Sequence, residues 1–132
     1  MTNTKLPNSG MRTFVSMNTK VWVTFEIPGI HCYPAAPDDV AYLRSPHRHL
    51  FKFRVTAQVF HDDREIEFHQ LLNWCRAQYT GDLSVDYKSC EMIAHELLSR
   101  LASHIKIPRM IEVEVSEDGE CGAVVTQTPM MR

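Results

Sequence analysis

An α+β domain, with an antiparallel sheet and helices on one face, is the fold class that the sequence predicts, and three observations carry it. Stretches near the start and the end alternate apolar and polar residues with the period of two that a half-buried strand requires. Two stretches in the middle place apolar residues at helical spacing. The connections at both ends are of hairpin type, the second marked by Asp118-Gly119. The order is therefore two strands, two helices, two strands. With 132 residues the chain has room for one such domain, and two independent cores are not expected.

Residues 1–12 are rich in Asn, Thr, Ser, Pro and Gly and read as a flexible arm, with a single domain over 13–132. The first strand is Lys20 to Ile27, where Val21, Val23, Phe25 and Ile27 alternate with Trp22, Thr24 and Glu26. Pro28-Gly29 ends or bends it. The stretch from Tyr33 to Pro46 holds three prolines and reads as a loop with at most a short helical turn. His47 to Phe60 is the clearest strand, with His47, His49, Phe51, Phe53, Val55, Ala57 and Val59 on one face. Glu65 to Tyr79 reads as a helix stopped by Thr80-Gly81-Asp82. Ser89 caps a second helix that runs to about Ile105, with Cys90, Ile93, Ala94, Leu97 and Leu101 as its apolar stripe. Met110 to Glu117 alternates again, and Cys121 to Thr126 is the return strand.

Composition excludes several classes. The apolar share of 44% and the charged share of 23% are ordinary for a folded domain. Lys and Arg number 14 against 16 Asp and Glu, so no basic excess suits a phosphate backbone and no nucleic-acid partner is expected. The apolar runs are too short to span a membrane, and the polar start has no apolar segment of a secretory signal. Cys32, Cys75, Cys90 and Cys121 form no Cys-x-x-Cys pair, so a reduced, cytoplasmic setting is expected.

Histidine carries the chemistry. His47 and His49 stand at i and i+2 of a strand, so both point to one face with Cα atoms about 6.5–7 Å apart. That spacing suits two ligands of one metal ion. His31, just past the strand that should pair with this one, is the best third ligand. Three imidazoles with one open position suit zinc. The alternative is two ordinary strand histidines, but unpaired imidazoles on an apolar face are costly to desolvate. Glu117 continues the Ile111-Val113-Val115 face, which puts a carboxylate in register with core residues. It either reaches water at the strand end or accepts two N–H bonds from a guanidine-like ring edge.

At this point the pattern resembles the 6-pyruvoyltetrahydropterin synthase family, which includes the 6-carboxytetrahydropterin synthases of queuosine biosynthesis. Members of that family have a zinc-binding His at the end of the first strand, then His-Gly-His about sixteen residues later. Here His31 is followed by His47-Arg48-His49. The helix starts of the family are matched by Ile66-Glu67-Phe68-His69-Gln70-Leu71 and Lys88-Ser89-Cys90-Glu91. Its strand ending in a ring-anchoring Glu is matched by Val113-Glu114-Val115-Ser116-Glu117. The resemblance covers about residues 20–126. It implies the tunnelling fold, a four-stranded antiparallel sheet in the order ββααββ, joined between subunits into a barrel as a homotrimer or homohexamer. It implies a zinc ion on His31, His47 and His49, a pterin or purine-like ligand on Glu117, and a carbon–oxygen or carbon–carbon lyase acting on a reduced pterin triphosphate or a related purine-derived compound.

The departures bear on catalysis. Leu43 stands four residues before His47, where the family has its catalytic Cys. The segment that supplies the family's Asp-His pair is not recognisable, Arg48 replaces the central Gly, and Pro28-Gly29 precedes His31 where small residues are usual. Cys32, Asp38, Asp39, Asp82, Asp86 and His95 are candidate replacements, each with a plain surface or capping role as the alternative. No general base is assigned. A non-catalytic protein that keeps the pocket and binds a pterin or guanine-like ligand is the second reading.

Overall fold

The computed structural model describes residues 2–6, 13–81 and 83–130. Its strands are β1 (Thr2–Leu6), β2 (Thr13–Met17), β3 (Thr19–His31), β4 (His47–Val59), β5 (Leu83–Asp86), β6 (Ile111–Glu117) and β7 (Cys121–Gln127). The helices are α1 (Phe68–Ala77) and α2 (Cys90–His104), with a 3-10 turn over Asp38–Leu43 in the proline-bearing loop. The α+β class expected from the sequence is the class observed.

The sheet has five strands in the order β5-β3-β4-β6-β7, not the expected four. The additional member is β5, which runs parallel to the end of β3 through Gly29 and Ile30. All other neighbours in this sheet are antiparallel. A second correction concerns the first strand, which passes through Pro28-Gly29 and ends at His31. Proline is tolerated because pairing on the β5 side begins only at Gly29, so no donor is needed at Pro28 on that side. The third correction is at the start of the chain. Thr2–Leu6 pairs antiparallel with Thr13–Met17, so part of the expected arm is one side of a two-stranded ladder. Met1 and residues 7–12 of that arm lie outside the described residues.

One core lies between the sheet and the helices. The inward residues of β3 (Val23, Phe25, Ile27), β4 (Phe51, Phe53, Val55) and β6 (Ile111, Val113, Val115) meet Leu71 and Cys75 of α1 and Ile93, Ala94, Leu97 and Leu101 of α2. Phe25 and Phe53 are directly opposed across the β3–β4 ladder and stack with centroids 4.6 Å apart. Each fully buried Phe of this kind contributes about 1.5–3 kcal/mol. Ser89 caps α2 by accepting the Met92 N–H, as its position suggests. The first helix starts three residues later than its apolar spacing predicts, because the Glu67 carboxylate caps it by accepting the Gln70 N–H. Among the described residues no helix is long and apolar enough to cross a membrane.

Candidate metal centre and ligand cavity

Strand register builds the site. His31 lies directly opposite His47, Gly29 opposite His49, and Ile27 opposite Phe51. On the other side of β4, Phe51 faces Glu117. Alternation then puts His31, His47, His49 and Glu117 on the same sheet face as the core, at its open end. Gly29 makes this end possible. A Cβ there would lie 2.7 Å from the Phe51 ring and 2.8 Å from the Leu83 carbonyl oxygen, so any side chain would push β5 or Phe51 away.

The three imidazoles converge. Ring centroids are 4.6 Å apart for His31 and His47, 5.0 Å for His31 and His49, and 4.8 Å for His47 and His49. One nitrogen from each lies within 4.8 Å of the other two. Each Nδ1 faces an acceptor: the Lys88 carbonyl at 3.5 Å for His31, the Ser45 carbonyl at 2.8 Å for His47, and the Asp118 carboxylate at 2.7 Å for His49. An Nδ1 that donates leaves Nε2 as a bare lone pair. The Nε2 atoms of His47 and His49 are buried and make no hydrogen bond.

Glu117 sits against the Nε2 atoms of His31 and His49. Its Oε1 is 3.3 Å from His31 Nε2, and its Oε2 is 3.3 Å from His49 Nε2. Burial pushes the His31 ring below its ordinary value and outweighs the opposing pull of Glu117, which favours the neutral ring. Three imidazole nitrogens that converge on one point, beside a carboxylate, make a set that could hold a metal cation. The donor set therefore fits zinc, with acceptors behind the rings of the kind that orient metal-bound histidines. Asp118 is held below the usual carboxylate range, first by the Leu50 N–H and then by His49.

A cavity of about 570 Å³ opens beside the triad, and His31, His47 and Glu117 line it. Leu43 also lines it, so the position where the resemblance expects a thiol faces the cavity with an isobutyl group. Cys32, Cys90 and Cys121 are on its wall too. Burial pushes the Cys90 thiol up to about 11, which keeps it protonated. Cys75 lies outside this cavity, in the core, as a packing thiol at about 12. Asp38, Asp39, Asp86 and His95 are exposed and stand outside the cavity lining. Asp38 is paired with Arg44 at 2.7 Å. Asp82 lies outside the described residues. The residue that the sequence hides is Asp118: Asp-Gly reads as a turn, and nothing in the spacing shows its carboxylate reaching a histidine 69 positions away.

No protein-family model matches the sequence, and no curated protein matches it. Solved structures do. The 6-pyruvoyl tetrahydropterin synthase of Plasmodium vivax superposes with a TM-score of 0.62 at 14% identity, covering 86% of this chain and 100% of that one. The Plasmodium falciparum enzyme of the same name gives 0.60, also at 14% identity and with the same coverage. Three histidines and a glutamate thus stand at the open end of a chain that has the fold of the 6-pyruvoyl tetrahydropterin synthases.

Proposed function

We propose that the chain is a zinc-dependent lyase of the pterin synthase type, acting on a reduced pterin or a related purine-derived compound. The observation that carries this reading is the set of bare, buried Nε2 atoms on histidines whose Nδ1 atoms are already engaged. Zinc held there supplies Lewis-acid polarisation of a hydroxyl or carbonyl oxygen on the ligand. Glu117 supplies recognition. Once His31 and His49 turn their lone pairs to a cation, the Glu117 carboxylate is free to accept two N–H bonds from a ring edge. The cavity of about 570 Å³ lies within the usual range for small-molecule sites.

Leu43 favours a second reading, in which the protein binds the ring without turning it over. It brings no proton-transfer group to the cavity wall. Calorimetry with pterins and guanine nucleotides, paired with a turnover assay on dihydroneopterin triphosphate, separates the two. Wild type is expected to bind a ring of this class, with slow turnover. Glu117→Gln is expected to weaken binding by about 1.5–3 kcal/mol, roughly 10- to 150-fold, because an amide cannot accept both bonds. Binding without any turnover supports the second reading, and no binding of any such ring removes both.

The assembly proposed with this function is a homotrimer or homohexamer in a cytoplasmic setting. β7 is a sheet edge with Val124 exposed, and open edges favour pairing with another copy. Light scattering should give three or six times the chain mass. A clean monomer at micromolar concentration contradicts it.

A further inference from the structure

We infer that Asp118 is a positioning residue: it fixes His49 as the Nδ1–H tautomer and so aims the Nε2 lone pair at the point shared with His31 and His47. The inference rests on the metal reading above, but its first test needs no metal.

Asp118 is the residue after β6 and takes a left-handed backbone conformation, with φ at 59°. That conformation turns its side chain back across β4. Three hydrogen bonds then grip residues 49 and 50. The Asp118 N–H donates to the Leu50 carbonyl at 2.8 Å, Oδ1 accepts the Leu50 N–H at 2.8 Å, and Oδ2 accepts from His49 Nδ1 at 2.7 Å. The first two extend the β4–β6 ladder past the Phe51–Glu117 pair. They also lock the carboxylate plane, since one oxygen is committed to a backbone donor. The second oxygen can only accept, so the ring that meets it must bring a proton on Nδ1. Nε2 is then left buried and without a hydrogen bond, with Glu117 Oε2 at 3.3 Å. A carboxylate behind a metal-bound imidazole acts in this way, and its loss typically costs about 10- to 100-fold in metal affinity.

A simple turn-forming role is the competing explanation, because Asp is one of the few residues that accept a left-handed conformation. Asp118→Asn and Asp118→Gly both keep that conformation accessible and remove the paired acceptors. Asn offers one oxygen, so its NH2 must face either Leu50 N–H or His49 Nδ1. Nitrogen-15 NMR of the imidazoles in metal-free protein, at a pH where His49 is neutral, reads the tautomer directly. Wild type is expected to show His49 protonated at Nδ1, and both variants a mixture or the Nε2–H form. Chelator competition is expected to show zinc bound about 10- to 100-fold more weakly in both variants. Persistence of the Nδ1–H form in Asp118→Asn and Asp118→Gly, with zinc affinity unchanged, overturns the inference and leaves the metal centre standing. A tautomer change in the variants, with no zinc uptake even by wild type, upholds the orienting role and overturns the metal reading.

Discussion

The two ends of β4 bury polar groups in opposite ways. At its far end Arg109 is only 3% exposed and is held by a counter-ion and two carbonyls. Its guanidinium pairs with Glu65 at 2.8 Å, donates to the Gln58 carbonyl at 3.0 Å and to the Ile107 carbonyl at 3.2 Å, and lies over the Phe60 ring. The second oxygen of Glu65 accepts the Phe60 N–H at 2.6 Å. At the near end, His47 and His49 each have one nitrogen engaged and one left bare. The difference separates architecture from function. A buried charge whose partners are all supplied by the chain closes a corner of the fold. Buried polar atoms without a hydrogen bond call for a further partner, and a metal ion is the one proposed above.

The largest expected effect breaks the closed end. Glu65→Ala leaves the Arg109 charge buried without its counter-ion, which should cost about 3–5 kcal/mol in urea unfolding, with zinc uptake unchanged. The acid limb of the same measurement carries a sign. The Phe60 N–H, and then Arg109, hold Glu65 below its ordinary value of 4.5. Its contribution is therefore present above that value and lost as pH falls through the lowered one. Glu65→Gln should flatten that limb. A variant as stable as wild type would mean that water already reaches Arg109.

A smaller effect is expected at the open end. Zinc at a hundredfold excess over its Kd should stabilise wild type by about 2.7 kcal/mol. In the His47→Ala/His49→Ala double variant that gain should vanish, along with the zinc found by elemental analysis. Zinc content unchanged in the double variant would remove the metal centre. A double variant that unfolds as readily as Glu65→Ala would mean that both ends of β4 serve architecture alone.

The sequence reveals the strands and the histidine cluster because both rest on alternation. Residues 47–59 alternate with Leu50 as the one apolar residue on the outer face, so the pattern by itself assigns His47 and His49 to the core face. The Ser89 cap is equally local. What escapes is long-range. β5 is four residues long and pairs in parallel with a strand more than fifty positions earlier, which no local pattern encodes. The continuation of β3 through Pro28-Gly29 depends on Phe51 and Leu83 closing over Gly29. Arg109 with Glu65, and Asp118 with His49, are pairs set by the register of β4 against β6 and by the turns that follow, not by spacing in the chain.

The direct opposition of His31 and His47 has a consequence for how the sheet assembles. The loop of residues 32–46 joins two thirteen-residue strands, and such long hairpins can slip in register. A slip of one position would send His47 and His49 to the outer face, away from His31. The native register gathers three imidazoles at one point, and a one-position slip does not. An ion bound there would act as a proofreader against that slip, withholding its binding energy from the flipped sheet and adding it to the correct one.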